Sequence, residues 1–300
     1  MALHKEIWIA DIIEGFLPKN EFVSRSIDHS LYVTNKTVHV PNAGVAPEVK
    51  VNLSAFPATA GKRTDADLTY DIDTLYSMPI HIQDSEKVEL SYDKRASVLA
   101  QMKTELQRTA IERIMYAWAK DGISKVATTG ESVAAHIPSA TGNRKAFSVA
   151  DVLAVKKLFD ANDVPAEGRY MLLDAEMYNQ LLEALTDGAK MNFLAGANPE
   201  TGVVGQFMGF SFYMRSKALK TTSAGVKKEW SASAAATDSA AGLAWQQNCV
   251  SRAMGNTDVY ADDKNPLYYG DIMSCTVRVG GTAVRADNKG VVLIYQGTVA

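Results

Sequence analysis

Two hydrophobic rhythms alternate along the chain, a helical period at its start and centre and a strand period between and after. Residues 4–17 place Ile7, Trp8, Ile12, Ile13 and Phe16 on helical spacing, with Glu6, Asp11 and Glu14 between them. Gly15 and Pro18 close this segment. An amphipathic helix of this kind packs on its own core or docks on a neighbour, and Trp8 suits both.

From Leu31 to Gln83 the pattern changes to short alternating runs: Val38 and Val40, then Val49, Val51 and Leu53, later Ile80 and Ile82. These predict strands. The middle, Phe56 to Thr74, holds Pro57, Gly61, Lys62, Arg63, Asp65, Asp67, Asp71 and Asp73, and on this reading buries little of itself. So long a polar excursion between strands is uncommon inside a compact domain, and it predicts disorder or a loop that acts outside its own subunit. Lys62, Arg63, Asp65 and Asp67 place both charge signs together and, with Trp8, are the candidate inter-subunit contacts.

Ser91 opens the longest helix, which the pattern carries to about Asp121 with Gly122 as its stop. Its stripe is Val98, Leu99, Met102, Leu106, Ala110, Ile114, Ala117 and Trp118, with a solvated Glu105/Arg108 pair opposite. At 1.5 Å per residue such a helix is about 45 Å long. Ser148 with Asp151 then reads as a capping box before a helix carrying Val152, Leu153, Val155 and Phe159. Arg169–Leu173 reads as a strand and Ala175–Leu185 as a helix with Met177, Leu181, Leu182 and Leu185 inward. Glycines at 202, 205 and 209 lead into a strand of alternating Phe210, Phe212 and Met214. An Ala/Ser-rich loop follows from Ser231, Leu243–Met254 reads as a helix stopped by Gly255, and Met273, Cys275, Val277 and Val279 form one face of a strand. Val291–Tyr295, continuously apolar, reads as a central strand.

With 300 residues, 47% hydrophobic and 22% charged, the chain is long enough for a substantial core, and no long linker divides it. A net charge of −3 argues against a protein that grips nucleic acid through clustered Lys and Arg. Cys249 and Cys275 form no C-x-x-C pattern, which argues against a disulfide framework or a zinc ribbon and favours a reduced compartment. No apolar run approaches the ~18 residues of a membrane span, and no signal core follows a basic start.

The search for chemistry ends in failed motifs. Ala60-Gly-Lys-Arg-Thr64 lacks the first glycine of a phosphate loop, which would fall at Phe56, and has Arg63 where the hydroxyl residue belongs. His4, His29, His39, His81 and His136 stand singly, Ser211 lacks the second glycine of a nucleophile elbow, and Asp258–Asp263 reads as a solvated loop, without calcium-loop spacing. No catalytic, cofactor-binding or metal-binding residue is expected.

Four stretches carry a resemblance: Arg169-Tyr-Met-Leu-Leu-Asp with Tyr178 and Leu181 after it; Gly205-Gln-Phe-Met-Gly-Phe-Ser-Phe; Ala241-Gly-Leu-Ala-Trp-Gln-Gln-Asn; and Tyr269-Gly-Asp-Ile. In their order and spacing, with the arm, hairpin and long helix before them, the chain resembles the tailed-bacteriophage major capsid proteins of the Hong Kong 97 fold. The resemblance implies an α+β subunit. Residues 1–30 would be its N-arm, 31–83 an extended β-hairpin E-loop, and 84–147 a peripheral domain with a spine helix at 91–121. Residues 148–269 would be an α/β axial domain, and 270–300 closing strands returning to the peripheral domain. It also implies self-assembly through pentamers and hexamers into an icosahedral head around double-stranded DNA, with no enzymatic role. Assembly in the bacterial cytoplasm, a portal protein and a separate scaffolding protein belong to the same expectation; the sequence begins directly at the arm, which implies a separate scaffold or an extension removed by proteolysis, and the initial methionine favours the former. Some family members crosslink lysine to asparagine, and Lys62 is the candidate at the hairpin tip. Competing readings are an encapsulin-like nanocompartment shell, against which the long hairpin argues, and a soluble α/β enzyme of another kind.

Overall fold

Alternation along β-branched and aromatic runs, interrupted by one long helical stripe, builds two large sheets, a three-stranded sheet that carries a projecting hairpin, and a two-stranded ribbon in the computed structural model. It describes residues 16–17, 20–42, 49, 51–52, 66–83, 94–229 and 231–299. The first strands are β1 (Ile27–Asp28), β2 (Val33–Thr34), β3 (Thr37–Asn42), β4 (Ala66–Asp71), β5 (Asp73–Tyr76) and β6 (Ile80–Gln83). Helix α1 (Lys94–Trp118) follows, then β7 (Ser124–Ala127), β8 (Ser132–Ala134), β9 (Asn143–Lys145) and α2 (Val149–Ala161). Next come β10 (Arg169–Asp174), α3 (Ala175–Ala184), α4 (Asp187–Ala195), β11 (Gly205–Phe207), β12 (Phe210–Arg215), β13 (Leu219–Thr221) and β14 (Lys227–Lys228). The chain closes with β15 (Ser239–Gln246), β16 (Val250–Asn265), β17 (Gly270–Ala283) and β18 (Val291–Tyr295).

The smaller sheet runs β1-β16-β17-β5, with β6 also on β17. Helix α1 lies against it: Met102, Leu106 and Ala110 meet Val259, Cys275, Val277 and Val279, and Phe16 is buried in the same cluster. The alternation read at 273–279 is therefore the face that α1 covers. Farther along the helix Ile111, Ile114, Met115 and Trp118 join the main core with Phe22, Trp245 and Leu293. Trp118 Nε1 donates to the Ser251 carbonyl at 2.7 Å, which satisfies the indole inside that core. The 25 described residues of α1 give about 37 Å; the helix ends at Trp118, three residues before the expected Asp121, where a turn at Gly122 (φ 88°) takes over, and residues 91–93 lie outside the described residues.

The larger sheet has β11-β12-β10-β15-β13-β14, with β18 on β15 and β7 on β18. β10 and β13 share one edge of β15 end to end while β18 takes the other, so β15 is fully surrounded. All its residues are buried. This overturns the helix expected over Leu243–Met254: the segment is the end of β15, a short turn and the start of β16. Asp258–Asp263 also lies within β16, not in a loop.

Helix α2 starts as read. The Ser148 N–H and hydroxyl donate to Asp151 Oδ2 at 2.8 and 2.9 Å, and Thr129 N–H and Oγ1 donate to the other oxygen at 3.0 and 2.7 Å. Val152, Val155 and Phe159 are buried as expected, but Leu153 faces solvent, and Met214 of β12 is likewise exposed. Helix α4 had no expectation; Phe193 anchors it against Phe212.

Within the stretch read as polar, 66–71 and 73–76 are paired strands, and Ile72 between them is buried. Val49 and Val51, read as strand positions, are exposed and outside any strand; Leu53 lies outside the described residues, as does nearly all of the segment 4–17 expected to be helical. The spans drawn from sequence cut across both sheets: β16, in the 148–269 span, belongs with α1, while β7 and β18 belong to the larger sheet. Pairing between strands far apart in sequence sets these boundaries.

Candidate assembly surfaces

β3 and β4 pair over six residues, from Thr37 opposite Asp71 to Asn42 opposite Ala66. Val38, at the root, is fully buried; along β4 the residues Asp67, Thr69 and Asp71 are exposed and Leu68 and Tyr70 half-buried. With β2 paired to β3 at its root, this small sheet has one solvated face and stays registered by its ladder and by pairs such as Thr37 Oγ1 donating to Asp71 Oδ1 at 2.9 Å. Of the sequence candidates, the structure places Asp67, exposed and opposite Pro41. Trp8, Lys62, Arg63 and Asp65 lie outside the described residues.

The root is tied to the body by charge. Arg252 Nη2 is 3.3 Å from Asp28 Oδ2, and the Ser30 N–H and hydroxyl donate to Asp28 Oδ1 at 2.9 and 2.5 Å. Burial opposes the Asp28 carboxylate, yet these donors and the Arg252 charge outweigh it and hold the carboxyl below its ordinary value. On the other side, Arg113 of α1 bridges Asp73 of β5 and Glu229.

An apolar surface that the sequence reading passed over lies beside the hairpin root. Tyr76, Met78 and Ile80 stand exposed, Met78 at 82%, and a groove runs between this segment and Gln101, Met102, Glu105, Leu106 and Thr109 of α1. The β16–β17 turn also exposes Leu267, Tyr268 and Tyr269, and the Tyr268 ring lies 5.7 Å from His81 of β6. Three large apolar residues inside the turn Asn265-Pro-Leu-Tyr-Tyr-Gly270 were the available signal.

Among the described residues no group of three or more His, Cys, Asp or Glu is placed to hold a metal ion. Both cysteines are free and buried, and burial pushes their thiols up. His136 Nε2 meets Asp174 Oδ2 at 2.6 Å, while Asp174 Oδ1 caps α3 through the Met177 N–H at 2.7 Å. That carboxylate is occupied as a helix cap. Met208 and Gly209, both at positive φ, form the tight turn between β11 and β12, and Gly205 lies where a side chain would strike the Phe193 ring. These glycines pack and turn.

A long helix laid across long antiparallel strands, an α/β lobe on a second sheet and a projecting hairpin define the Hong Kong 97 class of shell-building subunits. Solved structures share this fold across nearly the whole chain. The capsid of the cyanophage P-SCSP1u has a TM-score of 0.62 at 17% identity, covering 92% of this chain and 87% of the other. The capsid of Ralstonia phage GP4 has 0.65 at 10%, covering 92% and 88%, and a virus-like particle from Pyrococcus furiosus has 0.57 at 10%, covering 97% and 99%. No curated protein matches. The chain belongs to the phage capsid protein family, whose model it matches over residues 62–296. It is a structural component of the virion that assembles with copies of itself into a shell, and it is not an enzyme.

Proposed function

We propose that the chain is the repeating subunit of an icosahedral phage head, built as pentamers and hexamers, that encloses double-stranded DNA without binding it specifically. The observation that carries this is the family match over most of the chain, joined to a body with one dominant helix and a ribbon projecting from it. The net charge of −3 supports passive enclosure, because counterion release needs clustered cations. In this reading residues 1–30 serve as an N-arm, 31–83 as an E-loop and the α1 sheet as a peripheral domain, with an axial domain around β10, β12 and β15. Lys62, Arg63, Asp65 and Asp67 meet a neighbouring subunit from the hairpin, and Trp8 meets one from the arm. Assembly takes place in the host cytoplasm with a scaffolding protein and a portal protein as partners.

The test is negative-stain microscopy of particles purified from cells expressing the chain with its neighbouring phage genes, with nuclease-protected nucleic acid measured in the same fractions. Closed shells holding DNA are expected. Closed shells filled with protein cargo and free of DNA would mark a nanocompartment instead, and a stable monomer or dimer that forms no shell under any condition would overturn the reading.

A further inference from the structure

One residue separates two sheets at the root of the hairpin. Among the described residues β4 ends at Asp71 and pairs with β3 alone, while β5 starts at Asp73 and pairs with β17 alone. Ile72 between them is 4% exposed, an apolar residue flanked by two exposed aspartates. Its backbone N–H donates to the Lys36 carbonyl at 2.8 Å, so it belongs to the hairpin by hydrogen bonding. Its side chain belongs to the sheet below. It packs with Val38 and Ala253 in a small buried cluster separate from the three larger ones.

Two glycines make room for it. A Cβ at Gly280 would lie 2.7 Å from Ile72 Cγ2, and one at Gly255 would lie 2.9 Å from Ile72 Cδ1. Gly255 falls where the β16–β17 register shifts between Met254 and Thr257, so the bulge puts a residue without a side chain against the knob. Ala253 is next to Met254, which packs towards α1, and so the Ile72 seat is on the sheet face away from that helix. Val33, Val40 and Tyr70 pack part-buried against the same cluster, and the hydrogen bonds at the root are part-buried or exposed: Arg278 Nη1 to the Asn35 carbonyl at 3.2 Å, Tyr70 Oη to His29 Nδ1 at 3.4 Å, and Ser251 Oγ to Tyr70 Oη at 3.3 Å. Water replaces such bonds at little net cost, whereas it cannot replace a dry apolar seat.

We propose that Ile72 is the pivot of the β3–β4 hairpin, a knob held in the socket left by Gly255 and Gly280, and that this seat sets the angle at which the hairpin leaves the body. A six-residue strand is about 20 Å long, so a swing of ~20° moves its far end by ~7 Å, enough to make or miss a contact on another copy. The seat's effect on assembly rests on the reading that the hairpin meets a neighbour; the pivot itself does not.

Spin labels at Thr69→Cys and Thr104→Cys report the angle in the isolated subunit, since both native cysteines are buried. The distance distribution is measured for the parent, Ile72→Val, Ile72→Ala, Gly255→Ala and Gly280→Ala, each also followed by thermal melting and by microscopy after assembly. The parent is expected to give one narrow distance, Ile72→Ala a broad one, and the two alanine-for-glycine variants a displaced one, while Ile72→Val stays near the parent. Unchanged distributions in Ile72→Ala and both glycine variants would overturn the pivot, as would loss of the whole fold in every variant, which would place Ile72 in the global core. Altered distances with normal closed shells would leave the pivot standing and sink the neighbour contact.

Discussion

Arg113 grips Asp73 with two hydrogen bonds, Nε at 3.0 Å and Nη2 at 2.8 Å to the same carboxylate oxygen, while its Nη1 reaches Glu229 at 2.9 Å. The long helix thus holds the first residue of β5 and a residue just past β14 with one guanidinium. Arg113 is 35% exposed and Asp73 53%, so solvent screens the pairs. Arg113→Ala is expected to lower unfolding free energy by about 1 kcal/mol or less, with the difference shrinking at high salt. Urea titrations of both proteins at two salt concentrations check this; a large, salt-independent loss would mean that the lost packing of the arginine stem dominates.

The α1 stripe should be far more sensitive. Ile114 is fully buried against Trp118 and its neighbours, and Leu106 lies between α1 and the β16–β17 sheet. Ile114→Ala and Leu106→Ala are each expected to cost about 2 to 5 kcal/mol, with Ile114 at the upper end because its site is closed on all sides. Thermal melts and soluble yield report it, and variants that melt like the parent would contradict the packing described.

Stability should also fall with rising pH near neutrality through His136. Burial disfavours the charged imidazole, but the hydrogen bond and charge of Asp174, with Glu176 adding to them, together outweigh it and raise its pKa above 6.5. A group raised on folding contributes stability that is fully present below about 6.5 and is lost as pH climbs through the folded-state value. His136→Gln should flatten that part of the stability profile relative to the parent. Urea midpoints measured across pH 5 to about 8.5 decide it, and parallel profiles would remove His136 as the cause.

The hairpin tip is expected to matter for assembly more than for folding. Replacing residues 58–65 with a short Gly/Ser linker removes Lys62, Arg63 and Asp65 and leaves every described strand intact. Circular dichroism and melting should stay near the parent, while closed shells fail to form. Charge reversal at Lys62 and Arg63 should weaken assembly most at low salt, as pairing between exposed charges requires. Normal closed particles from the linker variant would rule out the contact.

Much of this molecule is legible in one dimension wherever a single face of an element is buried. The α1 stripe Met102, Leu106, Ala110, Ile114, Trp118 and the β17 alternation Met273, Cys275, Val277, Val279 each repeat at the period of their own backbone, because one side meets core and the other meets water. The α2 cap was equally readable, since Ser148 and Asp151 complete it within four residues. The polar character of β4 was readable too, and its Asp67, Thr69 and Asp71 are exposed.

What only the tertiary structure decided is everything that depends on partners distant in sequence. Leu243–Met254 reads as a helix because its first residues show no alternation, and they show none because β15 is covered on both faces. Tyr76, Met78 and Tyr269 carry the same local signal as core residues, yet stand exposed, Tyr269 at 77%. Ile72 sits in a stretch polar enough to be read as loop, and its burial required two glycines about 180 and 210 residues away to meet across a bulge. Periodicity records how one element divides its own faces between core and water; which strand pairs with which, and where an apolar side chain finds a seat, are set by contacts that no local window contains.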